Sequence, residues 1–217
     1  MSEKERIESF YKKVMTCENS LQNCPCSFKS KACPPRSFFY NKPNDILVVG
    51  INPGKMKREF ERKKFENANQ EEIVKVQLEI VDTYFKERLE KQSGFHYYLL
   101  EAMKIVCDRN YNQYNFTNIV KCQTVYPWSK LSIEIRQQLL ESCFRKHFIN
   151  ELKLLKPKLI FVYGKGIFDF INSNVPNKVI NLPRIGQNKG SKSIAQWKSK
   201  CLNLKSYLKN MKLLEAP

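Results

Sequence analysis

Four short, nearly unbroken apolar runs constrain this chain more than any other feature: Ile46 to Ile51, Phe116 to Val120, Leu159 to Tyr163 and Val179 to Leu182. A strand wetted on one face alternates apolar with polar residues, whereas a continuous run is buried on both. Helical periodicity fills the intervals. Ile7, Phe10, Tyr11 and Val14 share one side of Glu5 to Met15. Ile73, Val76, Ile80, Tyr84 and Leu89 do the same along Glu71 to Glu90, and Phe95 to Val106 is a denser apolar helix. Leu131 to Leu155, opened by Ser132 as N-cap and closed before Pro157, leads into the third run, and Ile194 to Met211 forms a last helix. Buried strands alternating with helices predict an α/β fold of three layers, α/β/α, around a central four-stranded parallel sheet. At 217 residues one domain over residues 1–217 is expected.

In such sheets ligands gather at the carboxyl ends of the strands, and there the polar residues of interest fall. Gly50-Ile51-Asn52-Pro53-Gly54 follows the first strand, Asn118 lies on the second, Gly164 to Gly166 follow the third, and Leu-Pro-Arg-Ile-Gly-Gln-Asn-Lys-Gly-Ser follows the fourth. The glycine turn matches no phosphate-cradling motif, and Pro53 removes a donor. It offers a closely approachable backbone at Gly50 and Ile51 and one side-chain amide, Asn52, suited to orienting a water or a polar ligand edge; it also reads as an ordinary strand exit. Asn118, in a buried strand, needs its amide satisfied by backbone or by a ligand with complementary donors and acceptors, and a nucleobase edge suits it.

Charge narrows the partner. With 38 Lys and Arg against 21 Asp and Glu, the formal net charge is +17, which favours a polyanion such as nucleic acid. Residues 55–70, basic and polar, read either as a solvated helix face or as a DNA-contacting excursion. No run of about 18 apolar residues is present, the opening residues are too charged for a secretory signal, and an intracellular protein without membrane contact is expected. Eight cysteines in a reducing compartment then point to a metal or cluster site beside core thiols.

The turn Gly-Ile-Asn-Pro-Gly, the segment Thr117-Asn-Ile-Val-Lys-Cys122, and Cys143 followed by Lys156-Pro-Lys-Leu-Ile-Phe-Val-Tyr-Gly164 resemble the uracil-DNA glycosylase superfamily. The stretch from Asn115 to Gly166 is similar to its iron–sulfur family 4, while the turn and the 182–191 loop look like the mismatch-specific and thymine-DNA glycosylases of family 2. The resemblance implies a monofunctional hydrolase that removes uracil from DNA in base-excision repair, acting as a monomer. It implies that Asn52 positions the attacking water and that Asn118, with Gly50 and Ile51, holds the base, and Phe95 is expected to supply the aromatic face. Arg184, Ile185, Gln187, Asn188 and Lys189 are expected to form the loop that enters the duplex and meets phosphates. Backbone amides at Gly164 and Lys165, at the next helix start, form a further phosphate seat. No lysine is placed to form a Schiff base.

By the same resemblance Cys122 and Cys143 match two ligands of a [4Fe–4S] cluster. Cys17 and Cys24 are the favoured early pair, with Cys26 and Cys33 as substitutes from the cysteine-rich segment 17–33. Four thiolates suit Zn²⁺ equally well. Cys107 and Cys201 are expected to pack in the core, His147 to lie on a helix surface, and His96 to have at most a minor site role. The loop after the fourth strand lacks the histidine that several of these families place there: Leu182 or Arg184 stands instead. That departure motivates a second reading, a non-catalytic DNA-binding or damage-sensing module on the same scaffold.

Overall fold

A computed structural model describes residues 2–15, 17, 38–39, 45–51, 63–64, 67–69, 71–121, 127–164, 166–185 and 190–214. Among these, the strands are β1 (Phe38–Phe39), β2 (Ile46–Gly50), β3 (Asn115–Asn118), β4 (Leu159–Val162) and β5 (Lys178–Asn181), and they form one sheet in the order β1-β3-β2-β4-β5. The four strands expected from the apolar runs pair in parallel. The short β1, which pairs antiparallel with β3, was not expected. Two residues carry no readable period, so nothing local marks them as a strand.

The helices are α1 (Glu3–Met15), α2 (Ile73–Lys91), α3 (Phe95–Cys107), α4 (Ile133–Cys143), α5 (Ile149–Leu155), α6 (Phe168–Asn174) and α7 (Ser191–Asn210). Ser132 caps α4 as expected, its Oγ accepting from the Ile135 amide at 3.3 Å. The single helix expected over Leu131 to Leu155 is divided by one π-helical turn, Phe144–Phe148, directly after Cys143. Such a turn carries one extra residue and rotates all that follows about the helix axis. Here Phe144 and Phe148 both remain buried across it. The seven-residue α6 was not expected as a separate element, being too short for a helical period to stand out.

Side-chain alternation along the strands separates two cores. Leu47, Val49, Ile160, Val162 and Val179 point to one face, where α1, α4, α5 and α6 cover them through residues such as Tyr11, Leu140, Leu155 and Ile171. Ile46, Val48, Phe116, Leu159, Phe161, Tyr163 and Ile180 point to the other, covered by Phe85 of α2, by α3 and by α7. The two cores make the three layers. Lys205 of α7 bonds Asp108, the residue that ends α3, with both carboxylate oxygens at 2.6 and 2.7 Å, tying the two helices of the second face together. Among the described residues no helix is long and apolar enough to cross a membrane.

Of the helices between β2 and β3, α3 covers the second face while α2 reaches both cores, with Val74 and Ile80 in the first and Phe85 in the second; the helices leading into β4 and β5 cover the first. With β3 on one side of β2 and β4 and β5 on the other, the chain's direction reverses between the neighbouring strands β2 and β4. A crevice at the carboxyl ends of these two neighbours is what such a switch point creates.

Candidate functional site

Gly50 and Asn118 sit side by side in register at the carboxyl ends of β2 and β3. The strands stay joined past that point, since the Ile119 amide donates to the Gly50 carbonyl at 3.0 Å and the Val120 amide to the Ile51 carbonyl at 2.9 Å. Asn118 follows Phe116 by two residues and so shares its face, toward α3 and α7. Its carboxamide leans across Gly50: a Cβ placed there would lie 2.3 Å from Asn118 Oδ1. The glycine thus leaves room for the amide. Asn118 is 7 % exposed, and its carboxamide makes no hydrogen bond among the described residues. An amide at the carboxyl edge of the sheet whose partners are not protein groups draws them from water or from a ligand.

On the other side of β2, the Tyr163 amide donates to the Val49 carbonyl at 2.8 Å, which extends β4 by one residue and turns the Tyr163 ring to the same face as Asn118. Phe95, the first residue of α3, packs its ring 4.6 Å from that of Tyr163 while remaining 44 % exposed. Arg184, three residues beyond β5, lies over both rings. An amide, a bare backbone, an open aromatic ring and a cation therefore line one edge of one face. Asn118 and Tyr163 are two strand spacings apart, about 10 Å, a width that accepts a pyrimidine.

His96 stands behind this edge rather than in it. Its ring is boxed by Tyr84, Phe85, Phe95 and Phe116, and Nδ1 pairs with the Tyr84 hydroxyl at 3.0 Å. Burial, with the Arg88 charge, brings its pKa down to about 4. His147 departs from the surface position expected of it: it is partly buried in the π turn, and burial with the charges of Lys121 and Lys146 also holds it at about 4. Both rings are neutral in the folded chain below the ordinary value near 6.5, while the unfolded chain takes up protons there. Their contribution is complete above about pH 6.5 and is lost as pH falls toward 4, at roughly 1.4 kcal/mol per pH unit for each ring. Urea unfolding at pH 7, 5.5 and 4.5 should show stability dropping steeply across this window; a flat profile would contradict the burial of these rings.

Ile51 turns the other way. Its side chain packs on the first face and against Gly164, where an added Cβ would come within 2.6 Å of Ile51 Cγ1. Gly164 is consequently buried in packing, and the following helix starts only at Phe168 with seven residues. Of the phosphate seat expected at Gly164 and Lys165, Lys165 lies outside the described residues. Cys107 and Cys201 pack in the second core as expected, burial raising their thiols to about 12 and about 11.

One constellation was missed. Lys121 and Glu151, both 0 % exposed, pair at 2.6 Å on the first face. Lys121 Nζ also donates to Thr117 Oγ1 at 2.5 Å, while Glu151 Oε1 accepts from Thr117 Oγ1 at 2.8 Å and from the Tyr11 hydroxyl at 2.6 Å. The signal was present as a lysine and a glutamate inside otherwise apolar stretches. Thr117 and Lys121 flank Asn118, so the network clamps the strand end that carries it. Lying across the sheet from Asn118, Lys121 offers no amine to the site.

Among the described cysteines, Cys143 is buried in the first core, away from the Asn118 edge, and Cys17 lies two residues beyond α1, its amide donating to the Val14 carbonyl at 3.3 Å. Cys24 and Cys122, and the substitutes Cys26 and Cys33, lie outside the described residues, as do Asn52, Gln187, Asn188 and Lys189. Ile185 packs against the second core, and the described part of the basic 55–70 stretch includes exposed, helical Lys63 and Lys64.

The model of the uracil DNA glycosylase superfamily matches residues 38–209, well over half of the chain. No curated protein matches it.

Proposed function

The chain belongs to the uracil DNA glycosylase superfamily, and from that premise we propose that it is a monofunctional DNA glycosylase that hydrolyses the N-glycosidic bond of uracil, including uracil in mismatches. The observation that carries this reading is the unpartnered Asn118 carboxamide, held over Gly50 beside an open aromatic ring. A base within a duplex cannot be reached, so the nucleotide is turned out into a pocket. The amide then donates and accepts at neighbouring atoms of the uracil edge, and Phe95 receives the ring face.

Bond breaking leaves positive charge on the sugar and negative charge on the base, and fixed dipoles lower the barrier by meeting both. Asn52, one residue beyond Ile51, is assigned to hold the attacking water. An amide is a poor base, but a cation-like sugar needs only a weak nucleophile in the right place. The burial and pairing of Lys121 support hydrolysis without a Schiff base. Ile185, Gln187, Asn188 and Lys189 are assigned to the DNA-entering loop, with the net charge of +17 supplying affinity for phosphates.

Cys17, Cys24, Cys122 and Cys143 are proposed to hold a [4Fe–4S] cluster, or Zn²⁺ in its place. The support for this assignment is the resemblance of the segments around Cys122 and Cys143 to the iron–sulfur family. When bound the group would supply cross-linking of loops rather than redox chemistry, because the proposed hydrolysis moves no electrons between centres. A brown protein whose near-visible absorbance is lost on changing Cys122 or Cys143 supports iron; a colourless zinc protein overturns it.

The test of function uses labelled single- and double-stranded DNA carrying uracil opposite G or A, with abasic sites cleaved by alkali. Wild-type protein is expected to give product, and Asn52→Ala to reduce its rate roughly a hundredfold. Binding without product would favour the non-catalytic DNA-binding reading, which draws its support from the lack of a histidine after β5.

A further inference from the structure

Arg184 occupies a position that contact with DNA phosphates does not explain. Its guanidinium carbon lies 5.6 Å from the centre of the Phe95 ring and 5.9 Å from that of Tyr163, on the face and edge where Asn118 lies. None of the ion pairs among the described residues involves it, although the side chain is exposed. A guanidinium paired with a carboxylate is neutralised; one resting on aromatic rings is held in place while its charge and N–H donors remain available to an acceptor. Its charge is felt locally, opposing the burial that pushes the Tyr163 phenol up to about 12.

The reaction supplies the acceptor. As the C1′–N1 bond breaks, its electron pair passes to the base, which leaves as an anion shared between N1 and the ring oxygens. Water forms the new bond to C1′ and gives its proton to solvent. We infer that Arg184 is a catalytic residue that donates to the anionic oxygen of the departing base while Phe95 and Tyr163 hold the guanidinium and Asn118 holds the opposite edge. This assignment rests on the glycosylase reading above. It gives the loop after β5 a chemical task without a histidine.

The test is single-turnover release of uracil and of 5-fluorouracil from single-stranded DNA by wild-type protein, Arg184→Gln, Arg184→Lys and Arg184→His. Because 5-fluorouracil is the more stable anion, it needs less help. Arg184→Gln should slow uracil release about a hundredfold and 5-fluorouracil release less than about tenfold, and Arg184→Lys should retain part of the rate on both. Arg184→His should add a pH dependence absent from wild type, with uracil release recovering below about pH 6 as the imidazole gains its proton. Equal losses on the two bases, or a loss confined to KM that vanishes at low salt, would assign Arg184 to phosphate binding and overturn the inference. Wild-type release of both bases with Arg184→Gln unchanged overturns this assignment alone. Release of neither base by wild type overturns both it and the proposed reaction.

Discussion

Lys121→Met is expected to destabilise the fold by about 3–5 kcal/mol at neutral pH, a large share of the roughly 5–15 kcal/mol that holds a domain of this kind together. The variant keeps the volume of the side chain but strands the Glu151 carboxylate, 0 % exposed, with only the Tyr11 and Thr117 hydroxyls as donors among the described residues. A buried ion pair contributes little compared with a well-packed apolar pair; removing one partner is what costs. The double variant Lys121→Met with Glu151→Leu should therefore be more stable than Lys121→Met alone, despite losing two further hydrogen bonds. Urea unfolding of the three proteins at pH 7 measures this, and a single variant as stable as wild type would show that the pair does not clamp β3.

What the sequence disclosed, and what it withheld, follow the range of the interactions involved. The parallel strands were legible to within a residue or two because burial on both faces is written in consecutive positions, as in Ile46 to Gly50. The long helices were legible through their period. The Lys121–Glu151 pair was not, because its partners stand 30 positions apart and neither local pattern names the other. The π turn after Cys143 was hidden for a related reason: one extra residue in a helix is accommodated by packing, and Phe144 and Phe148 are both satisfied by it. The surroundings of Gly164 were hidden for the same reason: Ile51, distant in the chain and adjacent in space, fills the position that a side chain would take there.

The site shows the same division. Asn118 stood out because an amide within a buried strand demands an explanation wherever the strand goes. Phe95 was chosen from several neighbouring aromatics, and its ring does meet the Asn118 side of the sheet, since α3 covers that face. The place of Arg184 could not be read: a loop arginine in a basic chain is expected to reach for phosphate, and only the convergence of β4, β5 and the start of α3 provides two rings for it to rest on. The cluster ligands rest on resemblance, with Cys143 in the core on the opposite face from Asn118.

Gly50→Ala should lower uracil release about a thousandfold while leaving the protein folded. The added methyl would meet Asn118 Oδ1 at 2.3 Å, whereas the next atoms, Asn118 Cγ and Phe116 Cζ, lie at 3.4 and 3.6 Å. Only the carboxamide must move, and the end of a short side chain rotates at small cost to stability. The cost falls on function, because a rotated amide presents its donor and acceptor to the wrong atoms of the base, and a site built around such hydrogen bonds discriminates strongly when they are misaligned. Asn118→Ala should produce a loss of similar size by removing the same groups. The informative variant is the double one: if the methyl acts only by displacing the amide, Gly50→Ala with Asn118→Ala should be no slower than Asn118→Ala alone, a fully non-additive result. Losses that multiply would mean that Gly50 serves the reaction through its own backbone, close against the base. Full activity in Gly50→Ala would mean that Asn118 does not read the base at all.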